Sequence, residues 1–240
     1  MQLDRDGAQR FPAAFGPAEV AALADLLSVP EGRPGARLGS TPGLAALLAP
    51  ADSIAAALLG PAGRAVGARL FDKSPARNWA LGWHQDRTIA VRGRREVAGF
   101  GQWTVKAGIP HCVPPFEYLE RSLTLRVHLD PAGEGNAPLL VAPGSHRLGP
   151  LAEPDIAGLV ERLGARACLA EAGDVWAFAT PILHASDRAA VPVRRRVLQL
   201  LYSPDDLPDG LEWAWIGPSW LYLHSLGRRD HRSLSPAGRG

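Results

Sequence analysis

Residues 123–129 alternate without a break. Leu123, Leu125, Val127 and Leu129 fall on one side, Thr124, Arg126 and His128 on the other. Successive side chains of a strand point to opposite faces, so this segment needs an apolar layer against its leucines. Similar short segments follow or precede it at 65–71, 81–86, 139–142, 168–170, 175–178 and 196–202, split by turns of Gly, Pro and Asp. Short strands punctuated in this way predict a sandwich or jelly roll. In a barrel, Arg126 and His128 become candidates to line the cavity. The alternative for that polar face is a solvated row.

Helical signals come earlier. Residues 17–28 read as a helix with Pro17 at its start. Residues 51–59 read as a second helix, stopped by Gly60-Pro61, and the Gly-, Pro- and Arg-rich stretch 30–42 between them reads as a loop. A chain of 240 residues can form one domain with a substantial core. The expected organisation is a helical N-terminal part of about residues 1–62, a β core of about 63–202 and a packing segment of about 203–240. In that last segment Trp213, Trp215, Trp220 and Tyr222 are expected to pack over the barrel, and the polar end from Arg228 to be frayed.

The net charge of +2, with basic residues scattered, gives no pull toward nucleic acid or a membrane surface. No apolar run approaches the roughly 18 residues a membrane span needs. Two cysteines in different segments, Cys112 and Cys168, predict free thiols, and the mixed-charge start Met-Gln-Leu-Asp-Arg-Asp does not read as a signal peptide. Together these predict a cytoplasmic protein. Only two of the 26 Lys and Arg residues are lysines, Lys73 and Lys106. Where Lys drifts freely to Arg, a retained Lys marks a place a forked guanidinium does not fit; coincidence is the alternative. Both flank His84.

His-x-Asp occurs twice, as His84-Gln85-Asp86 and His128-Leu129-Asp130. Residues i and i+2 of a strand share a face. Either pair, joined by the distant His184, could form the 2-His-1-carboxylate triad that holds Fe(II) with open positions. Either could equally be a satisfied structural pair. Arg195 follows His184 by eleven residues and could clamp a carboxylate. Alternation sends Arg194 and Arg196 to the opposite, solvated face.

The neighbouring residues distinguish the two pairs. Phe71-Asp72-Lys73, Asn78-Trp79 and Trp83-His84-Gln85-Asp86-Arg87-Thr88-Ile89 resemble the phytanoyl-CoA dioxygenase family of Fe(II)/2-oxoglutarate oxygenases. So do Leu125 to Asp130, Pro143-Gly144-Ser145-His146, and Gly173-Asp174-Val175 leading to His184. Asp6-Gly7 followed by Ala18-Glu19-Val20 is similar to that family's opening, and the resemblance runs from about residue 4 to about 202.

The resemblance implies a double-stranded β-helix core, jelly-roll and cupin-like, with flanking helices. It implies Fe(II) on His84, Asp86 and His184, with His128 and Asp130 on a core strand without ligands. Arg195 and Ser186 would hold the far carboxylate of 2-oxoglutarate, with Lys73, Gln85 and Trp103 as further co-substrate contacts; core packing is the alternative for Trp103. The implied reaction consumes O2 and 2-oxoglutarate, releases succinate and CO2, and hydroxylates a small molecule. Related halogenases lack the carboxylate ligand, so Asp86 implies hydroxylation or another oxidation.

Arg126, His128, His111 and Lys106 are candidates to line the substrate cavity, with a surface position as the alternative for His111. Asp130 is expected to accept hydrogen bonds from the turn that begins at Pro131. His146 reads as structural, and His224 and His231 as without a role. Arg92, Arg94 and Arg95 would meet a CoA phosphate or form a solvated face. Two other functions compete: a non-catalytic jelly-roll binding protein, and a metal-dependent cupin-type enzyme that does not use 2-oxoglutarate. Acyl-CoA, amino acid and secondary-metabolite substrates all remain open.

Overall fold

The alternating segments pair into antiparallel sheets. The computed structural model describes residues 1–29, 33–38 and 41–215. Its strands are β1 (Ala8–Phe11), β2 (Gly35–Arg37), β3 (Arg64–Lys73), β4 (Leu81–His84), β5 (Ile89–Ala90), β6 (Gly101–Lys106) and β7 (Ile109–Val113). They continue as β8 (Leu123–His128), β9 (Leu139–Val141), β10 (Arg166–Cys168), β11 (Val175–Ala179), β12 (His184–Ser186) and β13 (Arg195–Ser203). The larger sheet has the order β1-β11-β8-β13-β3-β2, the smaller β10-β9-β12-β4, and a third sheet is β5-β7-β6. This is a jelly roll, and its two main sheets enclose the cavity described below.

Strand β8 explains the layering. Leu125 and Val127 pack with Leu198 and Leu200 of β13 and with Leu23, Ile54 and Ala55. The last three come from α2 (Pro17–Leu26) and α3 (Ala49–Leu59), which follow the short α1 (Leu3–Asp6). The opposite face, with Thr124, Arg126 and His128, turns into the barrel, and all six residues of β8 are buried. A solvated row is therefore excluded. A second apolar group, including Leu139, Val141, Trp176, Phe178 and Ile182, fills the space between the sheets.

The tail is described as far as Trp215. Trp213 is buried, bridges Val91, and donates from Nε1 to the Asp205 carbonyl at 3.0 Å. Trp215 packs on the helix-side core. Trp220, Tyr222, His224, His231 and the segment from Arg228 lie outside the described residues.

Several elements differ from the sequence expectation. The stretch read as a loop contains β2, which pairs with β3. Strands β1, β5, β6, β7 and β12, and helices α4 (Phe116–Glu120) and α5 (Ile156–Leu163), had no reading. Cys112 and Cys168 are free, as expected; both are also buried, and burial pushes their thiols up to about 11 and about 12. The Gly173-Asp174 turn explains its own sequence. Gly173 has φ +90° and a Cβ there would sit 2.3 Å from the Phe15 carbonyl oxygen. Asp174 then accepts from the backbone N–H of Ala13 at 2.8 Å and of Glu171 at 2.7 Å, and from Arg10 Nε at 2.9 Å.

Candidate active site

Strands β4 and β12 run antiparallel with His84 directly opposite His184. Their ring centroids are 4.3 Å apart, inclined at 54°. Asp86 lies just past the end of β4, two residues on from His84. One ligand atom from each of His84, Asp86 and His184 falls within 4.8 Å of the others. His184 Nε2 is 4.0 Å from Asp86 Oδ2.

The backbone sets the tautomer of both rings. His84 Nδ1 lies 2.7 Å from the Gly82 carbonyl, and His184 Nδ1 lies 2.9 Å from the Ile182 carbonyl. A carbonyl only accepts, so each Nδ1 carries the proton and each Nε2 offers a lone pair. Such hydrogen bonds orient metal-binding imidazoles. Burial disfavours the imidazolium of His184, and Asp86 opposes this only in part. Burial also disfavours the Asp86 carboxylate, but His184, His84, Arg69 and Arg126 outweigh it and hold the carboxyl below its usual range. Two imidazoles and one carboxylate, without thiolate, suit Fe(II).

An inner cavity of about 40 Å³ runs from these three residues to Lys73, Ser186 and Arg195, walled by Phe71 and Trp79. Arg195 of β13 sits directly opposite Lys73 of β3. The Lys73 ammonium donates to Ser186 Oγ at 3.0 Å and to the Asp187 carbonyl at 2.6 Å, and lies 5.1 Å from the Trp79 ring centre. Burial, then Arg195, lowers Lys73 to about 8. Arg195 is 2% exposed, burial lowers it to about 10, and its Nε and Nη1 have no partner among the described residues. A buried cation without a partner is costly.

Arg126 reaches the same cavity, as its strand face predicts. Its Nη1 donates to Gln199 Oε1 at 2.8 Å and its guanidinium lies 5.1 Å from the Phe71 ring centre. Beyond the three candidate ligands opens an outer cavity of about 450 Å³, lined by Lys106 and His111 among others, a size typical of small-molecule sites. His111 is buried, against the surface alternative.

Other expectations are redrawn. Gln85 points away from His84 and Asp86. Its Nε2 donates to the Gly149 and Pro181 carbonyls at 3.1 and 2.9 Å, and its Oε1 accepts from Leu151 N–H at 2.9 Å. Its amide thus braces loops and is not free for a co-substrate. Trp103 packs in the core around β5–β7, beneath the Arg94 guanidinium, and lines neither cavity. His128 is buried at the far side of Arg126 and also lines neither; burial, then Arg126 and Arg195, depress it to about 3, so it is neutral.

Asp130 bonds Arg196 and not the turn after Pro131. It accepts from Arg196 N–H and Nε, both at 2.8 Å, and from Nη2 at 2.9 Å. Arg196 is thereby paired and not solvated, whereas the half-exposed Arg194 pairs with Asp72. His146 lies against Gly7 and contributes no candidate ligand. Arg92 and Arg94 pair with Glu212 and Glu96 on the surface, away from the cavities, and Arg95 lies against Gly210. Arg37, Arg69 and Gln199 had no reading from sequence; all three line the outer cavity.

Comparison with known proteins agrees with this site. The family model for phytanoyl-CoA dioxygenase matches residues 45–197. No curated protein matches the sequence. AviO1 from Streptomyces viridochromogenes Tue57 superposes with a TM-score of 0.63 at 21% identity, covering 86% of this chain and 94% of that one. EctD from S. alaskensis, solved with 2-oxoglutarate and 5-hydroxyectoine, gives 0.63 at 24% identity, covering 84% and 73%. HygX from Streptomyces hygroscopicus, solved with nickel and 2-oxoglutarate, gives 0.53 at 18% identity, covering 84% of each chain. At these identities the structures share the fold, while the family model spans more than half of the sequence. The chain belongs to the phytanoyl-CoA dioxygenase family, among the Fe(II)/2-oxoglutarate-dependent oxygenases.

Proposed function

We propose that this protein hydroxylates a small organic molecule while converting 2-oxoglutarate and O2 to succinate and CO2. His84, Asp86 and His184 hold the Fe(II), and Arg195, Lys73 and Ser186 hold the far carboxylate of 2-oxoglutarate. The observation that carries this reading is the nearly inaccessible Arg195 guanidinium, whose Nε and Nη1 have no partner among the described residues, at one end of a cavity whose other end is the His-Asp-His cluster. When bound, Fe(II) supplies the redox centre at which O2 is activated.

The protein's residues do the rest. The Gly82 and Ile182 carbonyls hold Nδ1 of both rings and leave each Nε2 as the ligand atom. Lys73 and Arg195 neutralise a dicarboxylate that would otherwise enter a low-dielectric cavity unpaired. Phe71 and Trp79 wall that cavity and exclude water beside it. The larger outer cavity meets the cluster from the other side and receives the molecule to be oxidised. HygX and EctD, each solved with 2-oxoglutarate, support the co-substrate assignment by likeness of fold. Two free, buried thiols fit a reducing, cytoplasmic setting.

The test is anaerobic titration with Fe(II) and 2-oxoglutarate, followed by a substrate panel scored for succinate. The expected result is one Fe(II) per chain and a weak visible absorption that requires both additions. Folded protein that shows neither at saturating ligand would remove the oxygenase reading and favour a binding protein.

A further inference from the structure

The outer cavity has a charge arrangement that the oxygenase reaction does not explain. Arg37 of β2 lies directly opposite Arg69 of β3. The same row continues across the sheet through Gln199 of β13 to Arg126 of β8. Like charges directly opposite one another destabilise a sheet; Lys73 opposite Arg195 is another such pair, at the inner cavity, whereas Arg10, Arg121, Arg194 and Arg196 each pair with a carboxylate.

Arg37 and Arg69 have no such carboxylate among the described residues. Arg37 Nε donates at 3.3 Å to His111 Nε2, and His111 Nδ1 is bound to the Ile109 carbonyl at 2.8 Å, so this imidazole is a neutral acceptor. Lys106 closes the group from the β6–β7 hairpin and is tied to Thr88 Oγ1 at 3.0 Å. Burial, together with mutual repulsion, lowers Arg37 to about 10 and also lowers Lys106. Among the described residues, Asp86 is the sole acid in the lining, and it faces the two imidazoles.

We propose that the molecule entering the outer cavity is an anion, a carboxylate or phosphate ester, whose charged group is received by Arg37, Arg69 and Lys106 while its reacting carbon points to His84, Asp86 and His184. Arg69 lines both cavities and so marks the near limit of the anion seat. The inference rests on the reading that this cavity takes the substrate.

The test uses protein loaded with Fe(II) and saturating 2-oxoglutarate without O2, which occupies the Arg195 end. Calorimetric titrations with inorganic phosphate and, separately, acetate are run at fixed ionic strength. At least one anion should saturate a single site; which one binds better separates a phosphate from a carboxylate substrate. Arg37→Gln/Arg69→Gln should weaken binding at least tenfold, and the exposed Lys106→Gln should weaken it severalfold without endangering the fold. Arg92→Gln should change nothing. Binding of neither anion, or binding that survives in both cavity variants, overturns the proposal. Titrating metal-free protein with 2-oxoglutarate keeps the two readings apart. An anion site in protein that never consumes 2-oxoglutarate sinks the oxygenase assignment alone, and turnover without an anion site sinks this one alone.

Discussion

Asp86 and Asp130 occupy the same place in two His-x-Asp triplets, and the structure makes opposite predictions for their removal. Asp130 is 19% exposed and makes three hydrogen bonds to Arg196. Charged hydrogen bonds contribute about 1.5–3 kcal/mol each but are far from additive, and partial exposure favours the low end. Asp130→Ala should therefore lose about 2–3 kcal/mol, or roughly 4–12 °C in Tm for a chain of this size. Its Fe(II) affinity should be unchanged.

Asp86 is 40% exposed to the cavity. Asp86→Ala should stay folded when metal-free, and its melt reads any change in stability directly. Loss of an outer-shell partner typically costs about 10–100-fold in metal affinity, and loss of a ligand should exceed that. Anaerobic Fe(II) titration and thermal melts of both variants read the two effects separately. The Asp130 effect carries a pH signature. Arg196 outweighs burial and keeps that carboxyl below its usual range, so its contribution is full above the unfolded value of about 3.9. It is lost as pH falls through the lower folded value, and the gap between wild type and Asp130→Ala should close in strong acid. Retained Fe(II) in Asp86→Ala, with loss in a stably folded Asp130→Ala, would refute the reasoning.

Three further outcomes are expected. Arg195→Ala should weaken 2-oxoglutarate binding roughly tenfold to over a hundredfold with Fe(II) binding intact, and Arg194→Ala should be near neutral; the reverse result would put the clamp on the wrong residue. Lys73, at about 8, is set by burial and by Arg195, with Asp187 opposing and Arg126 and Arg188 reinforcing. Calorimetry should therefore show 2-oxoglutarate binding taking up a proton near pH 8 and weakening above it. Lys73→Met should lose that slope, and Lys73→Arg should impair turnover because the fork does not fit between Ser186 and Asp187; an unchanged slope in Lys73→Met excludes the assignment. Gly173→Ala should lower stability by at least about 2 kcal/mol, seen as a lower denaturation midpoint, because the added Cβ meets the Phe15 carbonyl; a wild-type midpoint would contradict the packing.

Much of the site was legible because it is local or follows strand alternation. His84 and Asp86 are two residues apart, and Arg195 is buried in β13 while Arg196 beside it is half-buried and Arg194, just before the strand, is exposed. Arg37, Arg69 and Gln199 were not legible because only the pairing of distant strands puts them in one row. The β6–β7 hairpin escaped for a different reason. Its two-residue turn is Ala107-Gly108, with φ of 53° and 78°, where Asn-Gly or Asp-Gly is the usual signal. Strand β12 has three residues, too few for alternation to register, although it carries His184.

Strand β4 lies at the margin of the smaller sheet and pairs with β12 through a break in register between His184 and Ser186. It carries His84 and leads into Asp86, while the third donor sits on the strand beside it. An ion held by all three would act as a clasp on a sheet edge that is otherwise lightly fastened. Amide hydrogen exchange at residues 81–84 should then report metal occupancy, slow when the ion is in place and fast after chelation. Release of the ion and fraying of the edge become one event, so a partly damaged centre would shed its metal abruptly and not by degrees.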